Sequence, residues 1–450
     1  MAIAVALLVL VIGTLLFHFL SPWWLTPLAA DWALLDDTLI ITFWITGVVF
    51  VVINAFLIWV VIKYRHRPGI KSHYEPESHK LEWWLTVITT VGVIGMLAPG
   101  LWAWHSIVTV PDDAREVEVV GQQWNWSFRF PGEDGVLGQV GIEEMNPANP
   151  LGLKADDPAG QDDVLVESGE LHLAVGIPYK FVLRSKDVLH NFTVPEFRVK
   201  MDLVPGMTPY IWAKPTLAGR YDILCQELCG VGHFAMRGSV VVEEEAAFEQ
   251  WLAAYPTFAE VRATAAPNVA MGQAQYAVCS ACHGAQGEGN VMLNAPKLAG
   301  QSDWYVKRQL KNFKHGVRGA DATDTFGMQM APMAATLVDD AAIANVAAYI
   351  ASLPDFLPPA TVQGDASRGE ELYVTCESCH GAAGEGIWSM SAPRLSKVND
   401  WYLVRQLQNY QQGIRGAHPS DLHGKQMSLI SGVLRDDQSI NDTVAYINKL

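Results

Sequence analysis

The six cysteines of this 450-residue chain fall as three tight pairs: Cys225 with Cys229, Cys279 with Cys282, and Cys376 with Cys379. Pairs this close suit metals or cofactors better than a disulfide framework. Two of them run straight into a histidine, as Cys279-Ser-Ala-Cys282-His283 and Cys376-Glu-Ser-Cys379-His380. In a C-x-x-C-H motif both thiols attach covalently to the vinyl groups of a haem, and the histidine becomes the proximal iron ligand. Attachment of this kind takes place outside the cytoplasm. The remaining pair sits in Cys225-Gln-Glu-Leu-Cys229-Gly-Val-Gly-His233-Phe-Ala-Met236, with His190 upstream at the expected start of a strand. Thiolate and thioether are soft ligands and favour copper. Cys225, Cys229, His233 and His190 by themselves would equally make a closed zinc site. Met236 has no role in such a site and tips the balance to copper.

The two haem motifs belong to a longer repeat with a constant offset of 97 residues. Gly272 maps to Gly369, Pro296 to Pro393, Trp304 to Trp401, Tyr305 to Tyr402 and Gln309 to Gln406. Gly316 maps to Gly413, Arg318 to Arg415, Leu337 to Leu434 and Tyr349 to Tyr446, and no gap is needed. The stretches WYVKRQLKNFKHG and AAIANVAAYIASL carry apolar residues three and four apart, the spacing of helices. Each copy is therefore expected to be a small all-α domain whose haem supplies much of its core. The repeat also selects the distal iron ligands. Of Met328, Met330 and Met333, only Met330 keeps a methionine after adding 97, namely Met427.

From about residue 116 to 245 the pattern changes to short runs of period two, punctuated by glycine and proline. Such runs predict a β-sandwich or Greek-key barrel. Residues 131–163, rich in Asp, Gly and Pro, read as a long surface loop. Upstream lie three uncharged apolar stretches, within residues 1–30, 38–62 and 83–104, each long enough to cross a bilayer; the first could be a signal peptide, but with no basic n-region and no small-residue cleavage site before Ser21 it reads as a retained helix. The segment joining the second and third holds Lys63, Arg65, Arg67, Lys71 and Lys80, whereas that joining the first and second has no Lys or Arg. The positive-inside rule places residues 63–80 in the cytoplasm and everything after residue 104 outside. The expected organisation is an extra transmembrane helix (1–30), a transmembrane hairpin (31–115), the β domain (116–245), a linker (246–268), haem domain one (269–355), a second linker (356–365) and haem domain two (366–450). The formal net charge is −16. That balance excludes a nucleic-acid footprint, which needs a basic face, and it fits a periplasmic or extracellular surface that meets a basic partner. His18, His66, His73, His79, His105, His172, His315, His418 and His423 fall in no ligand pattern and read as structural or solvated.

C-x-E-x-C-x-x-x-H-x-x-M, preceded by D-V-x-H-x-F and Q-W-x-W, resembles subunit II of cytochrome c oxidases over about residues 36–252. Residues 269–450 resemble tandem dihaem cytochromes c. The first resemblance implies a binuclear copper centre, CuA, on a cupredoxin fold. Cys225 and Cys229 would bridge the coppers. His190, His233, Met236 and the backbone carbonyl of Glu227 would complete the shells. It further implies that the Glu227 carboxylate helps bind magnesium at the boundary with subunit I, and that Trp124 receives electrons above the copper centre. Glu82 would stand at the mouth of a proton channel into subunit I. The implied protein is the electron-input subunit of a respiratory oxidase in a bacterial inner membrane, associated with subunits I and III. Electrons would pass through two covalent haems c and CuA, and oxygen chemistry and proton pumping would lie in subunit I. The rival readings are the input subunit of a CuA-containing nitric oxide reductase and a membrane-anchored multihaem carrier.

Overall fold

The computed structural model describes residues 2–21, 26–71, 76–263 and 266–450; His73 lies outside them. Three helices precede the β domain: α1 (Ala2–Leu20), α2 (Ala33–Lys63) and α3 (His79–Val108). Each is long and apolar enough to cross a membrane. Their large apolar side chains face outward almost all round, as in Trp44, Ile53, Ile88 and Leu101. Exposed apolar surface on a helix is tolerated where the surroundings are lipid. The segment between α1 and α2 is tied to the β domain. The Ala29 amide donates to the Glu196 carbonyl (2.8 Å), the Asp31 amide to that of Lys214 (3.1 Å), and the Thr216 amide to that of Ala29 (2.8 Å). Trp32 is buried and donates through Nε1 to the Trp212 carbonyl at 3.1 Å. The α1–α2 connection and the β domain therefore share one side, and the Lys/Arg-bearing connection lies on the other, as the charge bias predicts.

The β domain contains β1 (Arg115–Gln122), β2 (Asn125–Phe130), β3 (Val164–Val166), β4 (Glu170–Ala174), β5 (Tyr179–Ser185), β6 (His190–Val194), β7 (Val199–Leu203), β8 (Tyr210–Ala213), β9 (Gly219–Leu224) and β10 (Arg237–Glu243). They form two five-stranded sheets, ordered β3-β2-β1-β5-β8 and β4-β10-β9-β6-β7. β1 runs parallel to β5 and β10 parallel to β4, and the other pairs are antiparallel. Inward-facing Trp126, Phe128, Phe181, Phe192 and Leu203 fill the space between the sheets. This is the cupredoxin-like sandwich expected from the period-two runs.

Two expectations need correction. Residues 131–163 are not purely a surface loop: Leu151 and Leu153 are fully buried and share a small second core with Val120, Leu165 and Phe258. Two leucines, two residues apart, contribute apolar area that the polar composition around them conceals. Residues 246–268 are not a free linker either. They contain α4 (Glu245–Leu252) and α5 (Phe258–Ala263), and Phe248 and Phe258 pin these helices to the β domain.

Haem domain one comprises α6 (Val269–His283), α7 (Asp303–Lys314), α8 (Thr325–Ala335) and α9 (Asp340–Ser352). Haem domain two repeats it as α10 (Ala366–His380), α11 (Asp400–Gln411), α12 (Leu422–Ser431) and α13 (Asp437–Ile447). The repeated glycines mark a close helix crossing. A Cβ at Gly272 would lie 2.0 Å from the Asn345 carbonyl oxygen, and one at Gly369 would lie 2.0 Å from that of Asp442. Tyr276 packs on Tyr349 and Tyr373 on Tyr446, with ring centres 5.2 and 5.4 Å apart. Residues 356–365 carry no helix or strand, and Thr361 and Val362 are held by the Asp400 carboxylate of the second haem domain.

Candidate copper centre and haem sites

The turns after β9 bring the sulfur ligands together opposite the start of β6. Cys225 Sγ lies 3.8 Å from Cys229 Sγ, 4.0 Å from His190 Nδ1 and 3.3 Å from the Glu227 carbonyl oxygen. Cys229 Sγ lies 3.5 Å from His233 Nδ1 and 3.8 Å from Met236 Sδ. All six residues proposed from the sequence thus meet in one place. The hydrogen bond between the thiols pulls Cys225 below the ordinary thiol value and pushes Cys229 above it. The thiolate is the form in which a cysteine binds a metal. His190 is fully buried and donates from Nε2 to Asp187 at 2.7 Å, which aims Nδ1 at the sulfurs. A carboxylate behind a ligating imidazole fixes its tautomer and raises its basicity. Asp187 was within the D-V-x-H-x-F signature, three residues before the ligand. The donor set of two thiols, two imidazoles, a thioether and a carbonyl fits copper rather than a four-ligand zinc site.

Trp124 caps this cluster. It is 3% exposed, and its Nε1 donates to the Cys229 carbonyl at 3.0 Å. Gln123 reaches the same carbonyl at 2.6 Å, and its amide donates to Asp187. Gly232 lies against the indole: a Cβ there would sit 2.4 Å from the ring. A small residue is needed for that approach.

In each haem domain the motif ends a helix, so both cysteines and the histidine fall within its last five residues. His283 Nδ1 donates to the Pro296 carbonyl and His380 Nδ1 to that of Pro393, both at 2.7 Å. Burial pushes both imidazoles below their ordinary value, so they are neutral with Nε2 left as an acceptor. This is the tautomer an iron ligand requires. Met330 is half-buried and packs with Cys279 against the first domain's core, while Met328 and Met333 are exposed. Met427 lines the second domain's cavity together with Cys376, Cys379 and His380.

That cavity, about 1220 Å³ with its open mouth included, has walls from three domains. Tyr305, Arg308 and Gln309 come from the first haem domain and Trp124 from the β domain. Arg415 Nε is buried at this wall without a partner. A buried guanidinium short of an acceptor fits a cofactor that brings carboxylates, as haem does. His423, read from the sequence as structural or solvated, also lines the cavity, and its Nδ1 is buried without a partner. Burial, with Arg308 nearby, pushes its imidazole down to about 3. The available signal was a break in the repeat, since the first domain has Phe326 there. Glu82 lies apart from all of this, exposed in the first turn of α3 and 3.6 Å from His79 Nδ1.

A membrane-anchored sandwich with a thiol-rich metal cluster, joined to two covalent-haem domains, defines an electron-transfer protein. Residues 116–244 match the family described as cytochrome C oxidase subunit II, periplasmic domain, and residues 269–354 and 366–450 each match cytochrome c. An alternative cytochrome c oxidase subunit 2 of Bradyrhizobium diazoefficiens is 55% identical over 58% of this chain and 94% of its own length. A cytochrome c oxidase subunit 2 of Thermostichus vulcanus is 31% identical over 48% of this chain and 74% of its own. A cytochrome c4 of Pseudomonas aeruginosa is 35% identical over 34% of this chain and 76% of its own. The chain belongs to the cytochrome c oxidase subunit II family, in a form with two cytochrome c domains fused behind the copper domain. It is a membrane-anchored, electron-input subunit of an oxidase, with its copper domain on the periplasmic side.

Proposed function

We propose that electrons pass along this chain from an external donor, through the first and then the second haem domain, and across Trp124 to the copper cluster. The observation that carries this order is the position of Trp124, which lines the second haem cavity and hydrogen-bonds the carbonyl of Cys229. Cys279, Cys282, His283 and Met330 would hold one haem c, and Cys376, Cys379, His380 and Met427 a second. His190, Cys225, Glu227 through its carbonyl, Cys229, His233 and Met236 would hold CuA. When bound, these groups supply one-electron chemistry, and the protein supplies position and tuning. Trp124 excludes water from the cluster, and hydrogen bonds at and beside it fasten this strand end to the second haem domain. Gln426 of α12 donates to the Trp124 carbonyl at 2.6 Å, and Gln122 donates to the Ser389 carbonyl at 3.1 Å. The haem domains are themselves joined by a reciprocal seam. Arg318 donates to Tyr402 (2.8 Å) and Gln406 (2.9 Å), and Arg415 donates to Tyr305 (3.2 Å) and Gln309 (3.0 Å). Tyrosine and glutamine at offset positions thus hold the two domains face to face.

The copper loop exposes Leu228 (82%), Phe234 and Val231, an apolar surface suited to a membrane partner. The partner is oxidase subunit I, with Glu227 binding magnesium at that boundary and Glu82 serving a proton channel in it. Subunit III completes the assembly, in a bacterial inner membrane, and the donor is a basic cytochrome. Membership of the oxidase family and the membrane hairpin favour this over a nitric oxide reductase. Elemental and haem analysis of the purified complex tests the cofactor assignment: two coppers and two covalent haems per chain are expected. Zinc in place of copper, or a single haem, would overturn it.

A further inference from the structure

We infer that the external donor docks on the first haem domain, at the face whose repeat counterpart fastens the second haem domain to the copper domain. This rests on the electron path proposed above. In the second domain that face is occupied. Ser389 accepts from Gln122, Gln426 donates to Trp124, and Met390 and Ile430 pack against the copper domain's core. Subtracting 97 gives Met292, Gln329, Leu293 and Met333. All four are exposed, Met292 to 85%, Leu293 to 48% and Met333 to 41%, and Val291 beside them to 58%. Cys282, the haem-attaching thiol at this edge, is also exposed, whereas its counterpart Cys379 packs against the copper domain. One copy of the face already mates with a redox domain, and the other copy presents the same edge uncovered among the described residues. Trp124 itself offers no alternative landing place, since the second haem domain covers it.

The chemistry of the partner follows from the charges. Residues 269–355 carry six Lys/Arg and seven Asp/Glu, so the docking domain is close to neutral. Residues 116–245 carry ten Lys/Arg and twenty Asp/Glu. The acidic field therefore comes from the copper domain and steers a cationic carrier from a distance, while contact at the first haem domain is apolar. The occupant is a small basic electron carrier with an apolar rim around its cofactor edge.

The test is stopped-flow reduction of the purified complex by a reduced basic monohaem cytochrome c. Each rate is expressed relative to reduction by the small molecule tetramethyl-p-phenylenediamine, which needs no protein docking surface. The double variant Val291→Ser/Met292→Ser should lower this ratio about tenfold, at both low and high salt, because the lost contact is apolar. Val338→Ser, at an exposed position of the same domain whose counterpart Arg435 is also exposed, should keep the wild-type ratio. Covalent haem content, read from the optical spectrum, shows that each variant is assembled. An unchanged ratio in the double variant, or a loss seen only at low salt, overturns the docking site. Failure of the underlying path shows differently: copper would be reduced in the wild type with no lag behind the haems.

Discussion

The chemistry of this chain was most legible at the scale of single residues, because metal and haem ligands obey spacing rules that survive without a fold. Cys225, Cys229, His233 and Met236 lie within one short loop, and His190, far from them in sequence, was still visible through its local signature. What stayed hidden were residues whose role depends on what comes to face them. His423 looked solvated because nothing in α12 alone says that its neighbours are a haem cavity and Trp124. The methionines show the opposite case. The repeat separates Met330 from Met328 and Met333, and the half-burial of Met330 beside Cys279 agrees with that choice. A thioether ligand stabilises ferrous iron and raises the potential. Met330→Ala and Met427→Ala should each lower the potential of one haem and let its ferrous iron bind carbon monoxide. Redox titration and optical spectra with the gas check this, and Met328→Ala and Met333→Ala should leave both readouts as in the wild type. A carbon-monoxide-binding haem in Met333→Ala would reverse the assignment.

At the scale of elements, periodicity served well where one face of an element is apolar and the other polar. The helices α7 and α9 were placed by their three-and-four spacing, and the strands by alternation. It served poorly where a few large side chains anchor an otherwise polar segment, as Leu151, Leu153, Phe248 and Phe258 do. Nor did it foresee the seam between the haem domains, although its residues were plain in the repeat. There Asp355, just ahead of the second linker, receives Lys297 at 2.6 Å and Arg394 at 2.9 Å. Burial would raise its carboxyl, but these cations outweigh it and hold the value down at about 2. A depressed folded value stabilises the seam above the unfolded value near 4 and is lost as pH falls through about 2. Asp355→Asn should therefore melt at a lower temperature than the wild type at pH 7, with the gap closing between about pH 4 and 2. Thermal unfolding followed in the haem absorbance would show it, and a gap independent of pH would remove Asp355 from the seam. On α3, Glu82 is a separate case. If it loads protons into subunit I, Glu82→Ala should slow oxygen consumption severalfold while donor-driven haem reduction keeps its rate. Unchanged oxygen consumption at neutral pH would leave Glu82 an interfacial charge that suits a helix N-terminus.

For the whole molecule, the decisive feature is that three redox domains converge on one cavity. Trp124 and Gln426 are about 300 residues apart in sequence, and no local pattern links them. The sequence supplies a copper domain and two haem domains in a row, which is compatible with either haem lying next to the copper. Only the packing of α12 and the Ser389 loop on the β domain puts the second domain there, with the first domain behind it across the arginine–tyrosine seam. The same packing encloses Trp124 between the copper domain and the second haem domain. The most direct measurement is the time course of haem and copper reduction in the purified complex after mixing with a reduced donor, compared between wild type and Trp124→Phe. The haems should be reduced before copper, and Trp124→Phe should slow copper reduction at least tenfold while the haems are reduced at the wild-type rate. Copper reduced as early as the haems, or at an unaltered rate in Trp124→Phe, would contradict the proposed path.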